Sequence, residues 1–266
     1  MQKKTSPRTA LITGASSGVG AEFARQLLAS GHADSFWLIA RRRERLESLA
    51  AELEAAGARS CRVLPLDLSQ DDDLRRLADL LEQERPTLAW LVNSAGAGRI
   101  GHVATLGPDA NRAQCRLNVE ALVAVTGLCL PHLARGSHIV QLASIAAFLP
   151  QPGFATYAAT KAFVLSYSRA LASELRERQI SVTAVCPGPM ETEFFRVAGE
   201  SSKTTGRIKS LGIETVDHVV RTAIRRARAG RQVSISSLVG QLIRLISRLL
   251  PHGFILRVMR RLGFGD

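Results

Sequence analysis

Short apolar runs alternate with longer stretches of helical spacing along most of this chain. Thr9 to Ile12, Phe36 to Ala40, Arg62 to Leu66, Ala89 to Val92, His138 to Leu142, Ser181 to Val185 and Gln232 to Ile235 are rich in Val, Ile and Leu and read as seven strands. Between them, Val19 to Ser30, Glu44 to Ala56, Leu74 to Glu84, Asn111 to Leu133, Tyr157 to Glu177 and Val216 to Arg228 carry apolar residues at i, i+3 and i+4 or strong helix formers. Strands that are apolar at nearly every position are buried on both faces, and regular alternation with helices gives right-handed crossovers into a parallel sheet. The pattern therefore predicts an α/β fold, a single doubly wound parallel sheet of about seven strands with helices on both faces. Such sheets bind ligands beyond the carboxyl ends of their strands, so chemistry is to be sought just after each run.

The pattern changes near the end, dividing residues 1–237 from a helical extension over 238–266. Leu238, Val239, Leu242, Ile243, Leu245, Ile246, Leu249 and Leu250 form an apolar stripe beside Gln241, Arg244, Ser247 and Arg248. After Pro251 and Gly253, Phe254, Ile255, Leu256, Val258 and Met259 repeat it against Arg257, Arg260 and Arg261. Neither piece has the about 20 apolar residues that span a bilayer. An interfacial membrane helix, a wall over the substrate site and a subunit contact all remain open readings.

Charge sharpens this picture. The formal net charge is +12, and residues 201–266 hold thirteen Lys and Arg against three acids, +10 from that quarter alone. An anionic membrane surface, an acidic substrate tail or a merely solvated face would each suit it. No nucleic acid is expected as a partner, because no aromatic stacking run or base-reading motif accompanies the charge. With 46% hydrophobic residues the chain can build a large core. The polar start has no signal-peptide pattern, and Cys61, Cys115, Cys129 and Cys186 form neither a C-x-x-C pair nor a metal-ligand cluster. A cytoplasmic protein with reduced thiols and no metal is expected.

The segment Thr13-Gly14-Ala15-Ser16-Ser17-Gly18-Val19-Gly20 joins the first strand to the first helix. Glycines there let the backbone turn tightly and approach a diphosphate, and the free N–H groups of the helix N-terminus stabilise its charge. Where an NAD site would carry an acid after the second strand, the chain reads Ala40-Arg41-Arg42-Arg43. Forked, permanently charged guanidinium groups suit a 2′-phosphate, which predicts NADP(H) held by Arg41 first and Arg42 next. Further along, Asn93-Ser94-Ala95-Gly96 follows the fourth strand, Ser144 ends the fifth, and Tyr157 and Lys161 stand four residues apart on one face of a helix.

The G-x-x-x-G-x-G spacing, the N-S-A-G segment with one Ser substitution, and the Ser, Tyr and Lys resemble the short-chain dehydrogenase/reductase family over about residues 8 to 235. The resemblance implies a Rossmann-type sheet and an enzyme that moves a hydride between NADP(H) and a ketone, aldehyde or secondary alcohol. It assigns catalysis to Asn118, Ser144, Tyr157 and Lys161. Tyr157 would exchange the proton with the carbonyl oxygen, Ser144 would hydrogen-bond that oxygen, Lys161 would bind the nicotinamide ribose, and Asn118 would hold a water relaying protons to Lys161. An unperturbed Tyr has a pKa of about 10, and the lysine ammonium and oxidised nicotinamide would bring it down toward working pH. Cofactor contacts are implied for Gly14, Ser16, Ser17, Gly18, Val19, Gly20, Arg41, Arg42, Asp67, Leu68, Asn93, Ala95, Gly96, Tyr157 and Lys161. In the P-G segment after the sixth strand they are implied for Pro187, Gly188 and Thr192.

Phe194-Phe195 and the polar residues after them fall in the family's substrate lid, about 193–213, and suit either closure over an apolar substrate or packing of the lid helix onto the body, while a lipid-like substrate goes with the membrane reading of the C-terminal stripe. The resemblance also implies a homo-oligomer built on the helices carrying Asn118 and Tyr157. A 3-oxoacyl thioester reductase is the nearest alternative activity. A binding protein without turnover is the alternative of another class, although such proteins usually lose the Tyr or the Lys.

Overall fold

The computed structural model describes residues 8–190, 193 and 212–261. Seven strands form one sheet: β1 (Thr9–Thr13), β2 (Ser35–Ala40), β3 (Ser60–Pro65), β4 (Leu88–Asn93), β5 (Leu133–Leu142), β6 (Ser181–Val185) and β7 (Val233–Ser234). Their spatial order is β3-β2-β1-β4-β5-β6-β7, and every pairing is parallel. The helices between them are α1 (Gly18–Ala29), α2 (Arg43–Ala55), α3 (Asp71–Glu84), α4 (Val103–Cys115), α5 (Ala121–Cys129), α6 (Ala155–Glu174) and α7 (Val216–Arg228), followed by α8 (Leu238–Leu249) and α9 (His252–Arg261). This is the doubly wound Rossmann-type arrangement expected from the sequence.

Alternation along the strands builds the two cores. Ala10, Ile12, Phe36 and Leu38 face α1, α2 and α7, where they meet Phe23, Leu27, Leu46, Leu53 and Val220. Leu11, Trp37 and Ile39 face the other way, onto Leu77 and Leu81 of α3, Val125 of α5 and Leu171 of α6. Successive side chains of a strand point to opposite faces, so a strand covered on both sides must be apolar throughout. The order reverses between β1 and β4, and a crevice opens there at the carboxyl ends of the strands.

Some boundaries differ from the sequence reading. β3 starts at Ser60 because Ser60 to Pro65 pair in register with Ser35 to Ala40. β5 starts at Leu133, which pairs with Leu88 ahead of a bulge. The helix expected from Asn111 begins at Val103, breaks at Gly107 (φ 73°) before Pro108, and passes through a π turn at Arg116–Glu120. It ends at Cys129, with Pro131 in the first positions of the following 3₁₀ turn, Leu130–His132. The apolar stripe after residue 237 folds as α8, and α9 follows Pro251.

Candidate active site

A cleft of about 1260 Å³ opens at the switch point, lined by the turn after β1, the ends of β2 to β6, and α6. Its nucleotide end is fixed by backbone geometry. Gly14 has φ +67°, and a Cβ there would lie 2.8 Å from Ala95 N, so only glycine lets the turn after β1 touch the segment after β4. Thr13 Oγ1 locks the same junction by accepting from the N–H groups of Ser94 and Ala95, both at 3.1 Å. Ser17 caps α1 with no side-chain bond, which leaves the helix N–H groups facing the cleft. Gly20 points elsewhere: a Cβ there would collide with Gly14 O, so it serves close packing of the turn.

The basic run after β2 divides its labour. Arg42 donates to Ser16 Oγ at 3.1 Å and Ser17 Oγ at 3.0 Å, and pairs with Glu193 at 2.8 Å. Its hydrogen bond holds the Glu193 carboxyl below the usual carboxylate range. Arg41 lines the cleft, is exposed, and makes no ion pair or hydrogen bond among the described residues. Glu193 carries no motif signal, and the sequence reading missed it. Asp67 lines the cleft beside Leu68, its Oδ1 accepting from Ser69 N at 3.0 Å and Ser69 Oγ at 2.7 Å.

Two residues expected at the site sit behind it. Asn93 is buried and does not line the cleft; its Nδ2 donates to Thr126 Oγ1 at 3.0 Å, bracing β4 against α5. Asn118, within the π turn, is buried as well. It clamps the Ala97 backbone, with Oδ1 accepting from Ala97 N and Nδ2 donating to Ala97 O, both at 2.8 Å, and Nδ2 also reaches Thr160 Oγ1 at 3.0 Å. A proton relay through this amide would have to use the remaining lone pair of Oδ1. Asn118 Oδ1 and Lys161 Nζ nevertheless converge on Gly96, lying 3.2 and 3.4 Å from where a Cβ would stand.

Ser144, Tyr157 and Lys161 meet on the cleft wall. Ser144 caps the 3₁₀ turn Ile145–Phe148, its Oγ accepting from Ala146 N at 3.1 Å, and it hydrogen-bonds the Tyr157 phenol. The Tyr157 ring stacks on Phe154 with centroids 4.3 Å apart. Lys161 Nζ donates to Leu142 O at 2.7 Å and lies 5.6 Å from the Tyr157 ring centroid. Burial pushes the phenol up to about 12, against the pull of the Ser144 hydrogen bond, and pushes the ammonium down to about 8. The fall expected from the sequence rests on the lysine ammonium together with oxidised nicotinamide; in the protein alone, desolvation outweighs the Ser144 hydrogen bond.

Pro187 and Gly188 after β6 complete the cleft, and Glu214 shapes them. Its Oε1 accepts from Gly188 N at 2.6 Å, its Oε2 from Ser236 Oγ, and a Cβ on Gly188 would stand 2.8 Å from Oε1. Nothing in the sequence singled out Glu214, because the pairing joins loops 26 residues apart. Thr192 and the lid aromatics Phe194 and Phe195 lie outside the described residues. α8 backs the site from outside. A Cβ on Gly240 would stand 2.9 Å from Cγ2 of Ile145, the residue after Ser144, and Ile243 packs against the cluster containing Ile145 and Phe148.

Comparison with known proteins agrees with this architecture. The short chain dehydrogenase family model matches residues 8–203. Serine 3-dehydrogenase of Agrobacterium fabrum is 32% identical over 237 residues, covering 86% of this chain and 92% of that one. Very-long-chain 3-oxoacyl-CoA reductase of Pyricularia oryzae is 34% identical over 183 residues, 66% of this chain and 54% of the relative. A solved short-chain dehydrogenase from Sphingobium yanoikuyae, in complex with NADPH, superposes with a TM-score of 0.77 at 30% identity, covering 96% of this chain and 94% of that one. The chain therefore belongs to the short-chain dehydrogenase/reductase family, oxidoreductases that act between alcohol and carbonyl groups.

Proposed function

We propose that the protein is an NADP(H)-dependent carbonyl reductase or alcohol dehydrogenase in which Tyr157 exchanges the proton with the substrate oxygen. The observation that carries this reading is the meeting of half-buried Ser144 with buried Tyr157 and Lys161 on one wall of a cleft whose far end is a glycine-rich anion cradle. The residues fit the dinucleotide. The turn at Gly14 leaves no room for a side chain, the N-terminal amides of α1 face the cleft, and Arg41 has no partner among the described residues where a 2′-phosphate would follow β2. The NADPH held by the Sphingobium yanoikuyae relative supports the same choice.

When bound, the nicotinamide supplies or accepts the hydride. Ser144 then hydrogen-bonds the carbonyl oxygen of the substrate, Tyr157 donates its phenolic proton to that oxygen during reduction, and the reverse transfer serves oxidation. Lys161, anchored by Leu142 O, sets the charge beside the phenol and binds the nicotinamide ribose. Asn118 holds the Ala97 backbone against Thr160 and so positions the floor beneath Lys161. Exposed Val123 on α5 and Phe163 on α6 support self-association through these two helices.

A second reading keeps the chemistry and names a 3-oxoacyl thioester as substrate, favoured by similarity to the Pyricularia oryzae reductase. One assay tests both. NADPH consumption is followed against short aldehydes, quinones, steroids and 3-oxoacyl thioesters, with NADH alongside. Turnover is expected with NADPH, and Tyr157→Phe is expected to lower kcat by about 10²–10⁴-fold while the cofactor still binds. Full turnover by Tyr157→Phe would remove Tyr157 from its role. NADPH binding with no turnover on any substrate would favour a binding protein.

A further inference from the structure

The helix α8 is amphipathic in the wrong sense for a helix that only packs on its own domain. Its buried position is Gly240, whereas Leu238, Leu242, Leu245 and Leu249 are between 52 and 82% exposed. Those four stand at i, i+4, i+7 and i+11, one straight stripe on the outward side. Phe254 and Val258 extend it along α9, so eight of the twelve large apolar residues exposed among the described residues fall between 238 and 258.

A second feature adjoins the stripe. Arg169 of α6, Arg226 of α7, Arg231 of the loop before β7, and Arg244 and Arg248 of α8 line a separate cavity of about 470 Å³. No carboxylate lines it, and none of the five guanidinium groups forms an ion pair or a side-chain hydrogen bond among the described residues. Arg244 Nε is buried with no partner. Burial and the charges of Arg248, Arg169 and Arg226 depress the Arg244 pKa, as expected where like charges are crowded without a counterion. Such an arrangement costs stability unless an anion completes it.

We propose that α8 and α9 form a membrane-docking face, with the leucine stripe in the acyl boundary of an anionic bilayer and a lipid phosphate seated among Arg169, Arg226, Arg231, Arg244 and Arg248. Helical geometry supports the assignment: Arg244 and Arg248 lie on the flank of α8 between its buried edge and its outward leucines, where headgroups stand when such a stripe is immersed. A second copy of the chain fits less well. A two-fold contact through the stripe would bring both arginine clusters and both sets of Arg257, Arg260 and Arg261 together.

Flotation of the full chain with phosphatidylglycerol–phosphatidylcholine vesicles, and with phosphatidylcholine alone, tests this. Binding is expected to the anionic vesicles and to weaken as salt rises. Arg244→Gln combined with Arg248→Gln is expected to weaken it about 25-fold, at about fivefold per arginine near the surface. Leu242→Ser with Leu245→Ser should abolish it. Both variants alter exposed or like-charged positions, and unchanged turnover of a water-soluble carbonyl will show that they fold. Failure to bind anionic vesicles overturns the proposal, as does a dimer in solution that dissociates with the Leu→Ser pair. Stabilisation by free inorganic phosphate, lost in Arg244→Gln, without vesicle binding would overturn it in favour of a soluble phosphorylated ligand.

Discussion

Tyr157 and Lys161 share one buried corner, and burial drives them to opposite ends of their usual ranges. With the ammonium pushed down to about 8 and the phenol up to about 12, the lysine loses its proton first as pH rises. Carbonyl reduction needs the phenol protonated and the positive charge beside it, so kcat/KM for reduction should fall through about pH 8, on the lysine, well before the phenol titrates. Lys161→Arg keeps the charge at all working pH and should remove that alkaline limb even as it lowers the maximum rate. An unmoved limb in that variant would assign it to another group. At the nucleotide end, Glu193 competes for Arg42. Glu193→Gln frees the guanidinium and removes an anion from beside the proposed 2′-phosphate site, so NADPH should bind about two- to fivefold more tightly, read by titration of its fluorescence. The meeting of Ser144, Tyr157 and Lys161 on one cleft wall was legible in the sequence through their spacing. Glu193 and Glu214 were not, because their partners are distant in the chain. Asn93 and Asn118 were legible as motif residues, but their side chains turned out to be occupied behind the cleft rather than within it.

At the scale of elements, period and turn chemistry carried most of the reading. The strands of apolar residues, the glycine turn after β1 and the amphipathic stripe after residue 237 all state their geometry locally. What escaped was decided by neighbours: the start of β3 by the register of β2, and the start of β5 by Leu88. The π turn holding Asn118 has no period of its own in the sequence. His138 shows the same limit. It reads as a strand residue, and the fold places its ring 4.3 Å from Trp90, with Nδ1 2.7 Å from Ser181 Oγ across β5 and β6. Desolvation, with Arg228 nearby, pushes it down to about 4. The folded state therefore binds fewer protons than the unfolded chain between about pH 6.5 and pH 4, and stability should fall as pH drops through that window. Allowing for its partial exposure, the loss is about 2 kcal/mol. His138→Gln should flatten the dependence of the urea midpoint on pH over this range; an unchanged slope would place the acid sensitivity elsewhere.

Across the whole molecule, the proposed membrane face and the candidate active site are joined by α8. Its outward side carries the leucines. Its inward side seats Gly240 against Ile235 and Ile145, with Ser144 next in the chain and Tyr157 bonded to Ser144. Glu214 adds a second tie by holding Gly188 at the cleft and Ser236 just before α8. The nucleotide cradle, by contrast, is built from the turn after β1 and the ends of β2 and β3, whereas α8 packs chiefly on the 3₁₀ turn after Ser144. A change at the α8 seat should therefore reach the chemistry without reaching the cofactor. Gly240→Ala tests this: the new methyl would stand 2.8 Å from Ile235 Cγ2 and 2.9 Å from Ile145 Cγ2, too close for either to stay. Overpacking of this kind costs about 1–3 kcal/mol, which should appear as a lower urea midpoint. The displaced Ile145 should shift the Ser144 hydroxyl and lower kcat about tenfold or more, since misplacement by a fraction of an ångström at a reacting group is costly. NADPH affinity should stay within about twofold, because nothing at Gly14, Arg41 or Arg42 moves. Equal losses of kcat and NADPH affinity would mean that the substitution loosens the whole domain, and the helix would then be an attachment to the enzyme rather than part of its active-site wall.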